Sequence, residues 1–237
     1  MIPYGKQEIN NEDIEAVVAV LRSDFLTQGT QVPLFEETVA NYCGAKHGVA
    51  ANSATSVLHI ACLTLGLKEG DWLWTSTNSF VASANCGLYC GAMIDFVDIE
   101  PLTYNLSATE LEKKLILAKQ ENKLPKIVIP VHFAGQSCDM KKIHSLSREY
   151  GFKIIEDASH AIGGMYLDKL IGNCQYSDIT VFSFHPVKII TTGEGGLATT
   201  NSKDYAEKMR LYRSHGITRN KNLMTNRINT DWYYQQV

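Results

Sequence analysis

One lysine, Lys188, lies between an apolar segment and a glycine-rich turn. Its setting reads Ser183-Phe184-His185-Pro186-Val187-Lys188-Ile189-Ile190, then Thr191-Thr192-Gly193-Glu194-Gly195-Gly196. Apolar neighbours desolvate an ammonium, lower its pKa and free the amine to form a Schiff base with a carbonyl. A lone lysine in such a place more often snorkels to solvent. Asp157 alters that balance. It follows Phe152-Lys153-Ile154-Ile155-Glu156, a strand-like run. An aspartate at a strand's carboxyl end can face the protonated pyridine nitrogen of pyridoxal phosphate and keep the ring an electron sink. By itself it serves equally well as a turn or cap residue. A phosphate also needs a cradle, and Ser53-Ala54-Thr55 places small and hydroxyl residues at a helix start, where free N–H groups and the dipole favour an anion. Ser183, five residues before Lys188, is in reach of the same phosphate. Phe80 either stacks on a ring or fills the core, and His160 either packs beside the ring or is a satisfied loop histidine.

These residues meet only if the fold brings them to one edge. Asn10-Asn11-Glu12-Asp13, followed by Ile14, Val17, Val18 and Leu21, carries an N-cap, first-turn acids and a 3.6-period apolar stripe. Pro33 suits the first turn of a second helix that ends near Cys43-Gly44. Asn52-Ser53-Ala54-Thr55 opens a third, stopping at Gly66. From there strands and helices alternate. Strands are expected at 72–76, 93–97, 126–132, 152–156, 178–184 and 196–200. Helices are expected at 80–91, 107–120, 139–150 and 202–214. The alternation predicts an α/β fold, a mostly parallel central sheet with helices on both faces. Continuous apolar strands such as Ile127-Val128-Ile129 suit a sheet covered on both sides. Ligands of such sheets sit beyond the carboxyl ends of the strands, which is where Phe80, Asp157, His160, Ser183 and Lys188 fall.

Composition removes other classes. With 22 Lys+Arg against 25 Asp+Glu, the net charge of −3 disfavours a dedicated nucleic-acid binder. Apolar residues make up 45% of the 237, ample for a folded core and against disorder. No apolar run approaches the ~18 residues of a membrane span, and the N-terminus lacks a signal-peptide core, so a cytoplasmic protein is expected. Cys43, Cys62, Cys86, Cys90, Cys138 and Cys174 include no Cys-x-x-Cys pair, which favours buried reduced thiols over a metal site. The glycine fingerprints of dinucleotide-binding and P-loop folds, the Gly-x-Ser-x-Gly elbow and His-Glu-x-x-His are absent from the sequence. The basic stretch Lys208, Arg210, Arg213, Arg219 and Lys221 reads as a solvated helix face sooner than a diphosphate site.

Five motifs in order carry a wider pattern: Leu26-Thr27-Gln28-Gly29, Asn52-Ser53-Ala54-Thr55-Ser56, Glu156-Asp157-Ala158-Ser159-His160-Ala161, Ser183-Phe184-His185-Pro186-Val187-Lys188 and Gly193-Glu194-Gly195-Gly196. With them the chain resembles the DegT/DnrJ/EryC1/StrS sugar-nucleotide aminotransferases, of the fold-type I pyridoxal-phosphate enzymes, from about Tyr4 to its end. The resemblance implies that Lys188 forms the internal aldimine, Asp157 binds the pyridine nitrogen, Ala54, Thr55 and Ser183 hold the phosphate, Phe80 stacks and His160 sits beside the ring. It implies a sugar-nucleotide pocket lined by Tyr4 and by Asp24, Phe25, Leu26 and Thr27. Dehydratase relatives carry histidine at the Schiff-base position, so lysine there favours transamination. Ile190 to Gly196 and Arg213-Ser214-His215-Gly216 look most like the transaminases of pseudaminic acid biosynthesis. Those move an amino group from L-glutamate to C4 of a UDP-linked 4-keto-6-deoxy-N-acetylhexosamine. Two alternatives stand beside this: another nucleotide-linked keto-sugar, or a shortened inactive relative acting as a binding or regulatory protein. The resemblance also implies a homodimer with the site at its interface. It implies that residues 1–237 form an N-terminal arm plus the large cofactor domain, without the relatives' small C-terminal domain.

Overall fold

A computed structural model of the chain describes residues 2, 5–225 and 233–236. In chain order its helices are α1 (Asn11–Leu21), α2 (Gln31–Cys43), α3 (Ala54–Thr64), α4 (Ala82–Leu88), α5 (Ala108–Glu121), α6 (Met140–Tyr150) and α7 (Lys203–Arg213). The strands are β1 (His47–Ala51), β2 (Trp72–Ser76), β3 (Met93–Val97), β4 (Ile127–Ile129), β5 (Lys153–Asp157), β6 (Met165–Tyr166), β7 (Lys169–Leu170), β8 (Ile179–Ser183), β9 (Gly196–Thr200), β10 (Ile217–Thr218) and β11 (Gln235–Gln236).

Seven strands form one sheet in the order β1-β9-β8-β5-β4-β2-β3. The pairs from β8 through β5, β4 and β2 to β3 are parallel; β9 alone runs against its two neighbours. The mostly parallel sheet expected from the alternation is therefore present. The sequence reading did not anticipate β1, which becomes an edge strand beside β9. Side chains alternate across the sheet as strand geometry requires. On one face Ile127, Ile129, Ile155 and Val181 join Val57, Leu58 and Ala61 of α3 and Met209 of α7. On the other, Val128 and Ile154 join Leu111 and Leu115 of α5 with Ile143 and Leu146 of α6. The two cores lie on opposite sides of a sheet buried twice, the arrangement continuous apolar strands call for.

Helix starts follow the caps in the sequence. Asn10 and Asp13 form a reciprocal capping box, and Ser53, Ser107, Asp139 and Ser202 each accept a first-turn amide. The apolar stripe of α1 does not reach a core: Ile14, Val17 and Leu21 are exposed. No described helix is long and apolar enough to cross a membrane.

Two residues of the basic stretch turn inward. Arg213 pairs with the buried Glu36 and donates to the carbonyl of Ala50 at 2.8 Å, while Arg210 lies 3.7 Å from Glu36 and donates to the Gly48 carbonyl at 3.0 Å. Glu36 also accepts the Ala50 amide at 2.9 Å. These contacts tie α2, β1 and α7 together, so Arg210 and Arg213 are not simply a solvated helix face. Glu36→Ala leaves the Ala50 amide without its side-chain acceptor and the Arg213 guanidinium with the Ala50 carbonyl but no carboxylate. The expected loss is about 1–3 kcal/mol, below that of a fully buried pair because both arginines are partly exposed; a lower urea midpoint at unchanged slope checks it.

Candidate active site

The carboxyl ends of the parallel strands and the start of α3 enclose a pocket of about 390 Å³. Ala54, Thr55, Phe80, Asp157, His160, Ser183 and Lys188 all line it. Residues separated by up to 134 positions in the chain thus meet because each follows, or ends, an element whose tip reaches the same edge.

Asp157 closes β5 and is almost fully buried. Its backbone is fixed on both sides: its amide donates to the Pro130 carbonyl at 2.9 Å, and its carbonyl accepts the His132 amide at 3.0 Å. Its carboxylate takes three donors. Ser159 gives its amide at 3.1 Å and hydroxyl at 2.6 Å to Oδ1, and Ser83 gives its hydroxyl at 2.6 Å to Oδ2. The preceding residue, Glu156, points to the opposite face of the sheet. There His132 Nε2 lies 2.7 Å from its Oε2, and Thr180 at 3.0 Å and Ser177 donate to Oε1. Burial would raise the Glu156 carboxyl, but these partners hold it below the ordinary carboxylate range. Two adjacent carboxylates therefore serve two different faces.

Lys188 sits in the loop between the antiparallel strands β8 and β9. The loop is closed at its base by Phe184 N–H to Gly195 O at 2.9 Å and Thr192 N–H to Phe184 O at 3.0 Å. The Lys188 amide turns back on the His185 carbonyl at 2.9 Å. Burial pushes the Lys188 ammonium below the ordinary lysine value, with the Asp157 carboxylate pulling the other way. His160 is likewise lowered, first by burial and then by the Lys188 charge, against the opposing pull of Asp157. The half-buried lysine is thus easier to deprotonate than a surface one.

At the far wall, Ser53 caps α3 with its hydroxyl on the Ser56 amide at 3.2 Å. The amides of the first helical residues, Ala54 and Thr55, have no acceptor within the helix, and both residues line the pocket. Gly196, the first residue of β9, packs directly beneath them: a Cβ there would overlap the Ala54 nitrogen and the Ser53 carbonyl carbon. The glycine-rich turn after Lys188 is thereby explained at this position by close backbone approach. Gly196→Ala must displace the α3 start, an overpacking cost of about 1–3 kcal/mol. Retained circular dichroism with weakened phosphate or pyridoxal phosphate binding is the expected result in equilibrium titration.

Phe80 lines the pocket yet is 69% exposed, so it is a rim residue and not a core aromatic. The segment expected at a sugar-nucleotide pocket does not line the Lys188 pocket. Thr27 lines a separate groove of about 1230 Å³ together with Asn52, His59, Arg213, Arg219 and Tyr234. Asp24, Phe25 and Leu26 are exposed and line neither cavity. Tyr4 lies outside the described residues. The pocket also contains Ser79, Phe133, Ser159, His185 and Glu194, none of which the sequence reading assigned a role. Glu194 faces His185 across the mouth at 4.0 Å. No cluster of described residues has the makings of a metal site.

The model of the DegT/DnrJ/EryC1/StrS aminotransferase family matches residues 7–231, nearly the whole chain. The chain belongs to this family. Among curated members it is 41% identical, over 93% of its length, to a UDP-4-amino-4,6-dideoxy-N-acetyl-beta-L-altrosamine transaminase of Campylobacter jejuni. Among solved structures it superposes on Helicobacter pylori PseC, an aminotransferase involved in the biosynthesis of pseudoaminic acid. That match has a TM-score of 0.85 and 35% identity over 94% of this chain. It also superposes on the PLP form of Spr1654 from Streptococcus pneumoniae, with a TM-score of 0.84 and 26% identity over 100% of this chain. The DegT-family chain spans 57% of the length of the Campylobacter protein, 58% of PseC and 61% of Spr1654.

Proposed function

We propose that this chain carries the cofactor-binding part of a pyridoxal-phosphate-dependent sugar-nucleotide aminotransferase, with L-glutamate as amino donor and a UDP-linked 4-keto-6-deoxy-N-acetylhexosamine as acceptor. The observation that carries the reading is the meeting of Lys188, Asp157 and the α3 start in one pocket. An amine, a carboxylate and an anion cradle are the three fittings the cofactor requires, and the pocket's size and apolar walls suit its ring.

When bound, the cofactor supplies an electrophilic carbonyl and an electron sink. Lys188 holds it through the amine, which burial keeps easily deprotonated. With a donor amino acid bound, the Lys188 amine would take the proton from the donor's Cα and later return a proton, as base and then as acid. Asp157 would keep the ring nitrogen protonated. The Ala54 and Thr55 amides, with the Thr55 and Ser183 hydroxyls, would hold the phosphate, and Phe80 and His160 would lie beside the ring. Rim residues Phe80, Val81, Ile189 and Ile190 are exposed and apolar. This supports a homodimer with the pocket at the interface.

The similarity to the Campylobacter transaminase and to PseC supports the UDP-linked substrate and a place in pseudaminic acid biosynthesis. A panel of UDP-, GDP- and dTDP-linked 4-keto sugars, offered with L-glutamate and followed by release of 2-oxoglutarate, tests it. Preference for the UDP-linked 4-keto-6-deoxy-N-acetylhexosamine is expected; preference for another nucleotide sugar would assign the chain a different acceptor.

A further inference from the structure

We infer that Ser83 is a positioning residue, which aims one oxygen of the Asp157 carboxylate at the ring nitrogen of the cofactor. The inference rests on the reading of the Lys188 pocket as a pyridoxal-phosphate site. Ser83 is fully buried in the first turn of α4. It lies three residues after Phe80, whose carbonyl accepts the Ser83 amide at 3.1 Å. Its hydroxyl reaches across 74 positions of sequence to Asp157 Oδ2 at 2.6 Å, the length of a charge-assisted hydrogen bond.

An ionised carboxylate offers about four acceptor positions, two on each oxygen. Both on Oδ1 are taken by the amide and hydroxyl of Ser159. Among the described residues Oδ2 accepts from Ser83 alone, so Oδ2 keeps a place for one more donor. A ring N–H fills that place, and Ser83 decides where the vacant lone pair points. The two serines do different work. Ser159 lies two residues from Asp157, and its contact comes with the local turn. Ser83 comes from another element, and it joins the rim that carries Phe80 to the strand end that carries Asp157. The terminal torsion of an aspartate is broad. Without Ser83, Oδ2 loses the only described contact that fixes its rotation from the α4 side.

Three variants of the full chain, Ser83→Ala, Asp157→Ala and the double replacement, test this with two readouts. These are pyridoxal phosphate affinity by equilibrium titration and the pH midpoint of the visible band of the lysine-bound cofactor. Ser83→Ala is expected to keep the band but weaken affinity about 3- to 10-fold. Its midpoint should move in the same direction as in Asp157→Ala, and by less. In the Asp157→Ala background, Ser83→Ala should change neither readout by more than about twofold, because Ser83 acts only through Asp157. Wild-type affinity and midpoint in Ser83→Ala would overturn the inference. So would an equal loss in the Asp157→Ala background, which marks a packing role. A wild-type chain that shows no visible band at all would instead overturn the cofactor reading, and the Ser83 inference with it.

Discussion

Under the proposed function, Lys188→Ala is expected to abolish the visible absorbance that wild-type protein should gain with pyridoxal phosphate, and to lower amino transfer by at least the ~10²–10⁴-fold that a positioned acid–base group supplies. The loss is this large because one amine has two duties, the covalent hold and the proton transfer. Lys188→Arg should fare no better: a guanidinium stays protonated and neither attacks a carbonyl nor returns a proton. The environment of Lys188 adds a pH signature. Burial lowers the amine and Asp157 only partly offsets it. Loading of cofactor-free protein should therefore rise with pH to a midpoint below that of ordinary lysine. Circular dichroism should match wild type, since the side chain stands in a loop and belongs to neither hydrophobic face of the sheet.

Asp157→Ala is expected to have the second-largest effect. Its buried carboxylate is proposed to keep the ring nitrogen protonated, and alanine leaves the Ser83 and Ser159 hydroxyls without their acceptor. Amino transfer should fall by about 10²–10³-fold, the scale of losing one preorganised electrostatic contact in a water-poor site. The visible band persists, with a displaced pH midpoint, since Lys188 is intact. Asp157→Asn keeps hydrogen-bonding capacity but not charge; it should retain folding while remaining nearly as inactive as alanine. Equal activity of Asp157→Asn and wild type would remove the charge from the account. Both measurements need only purified protein, a titration and a single-turnover assay.

The positions of Asp157 and Lys188 were legible because Asp157 ends, and Lys188 closely follows, an apolar run whose strand character is plain. Strand ends of a parallel sheet converge by topology. Strand β1 was not legible. His47-Gly48-Val49-Ala50-Ala51 has one β-branched residue and a glycine, and it becomes a strand because Ala50 and Ala51 find partners in Leu197 and Gly196. The reversal of β9 was equally hidden: no helix separates β5 from β8 either, yet that pair is parallel, so the missing helix before β9 did not mark the change of direction. Gly196 could be seen as a motif glycine, but its reason lies in the backbone of Ser53 and Ala54, far away in sequence. Ser83 carried no signal beyond being small and polar in a helix. The inward turn of Arg210 and Arg213 depends on Glu36, whose burial has no mark in the local pattern of α2. What escaped the sequence in each case is a pairing between distant elements, for which local pattern holds no information.

The most direct test of the central claim is borohydride reduction of the full chain after incubation with pyridoxal phosphate, followed by peptide mass mapping. The account predicts one reduced adduct, on Lys188, that does not form in Lys188→Ala. Adducts spread over surface lysines, or an undiminished adduct in Lys188→Ala, would contradict it.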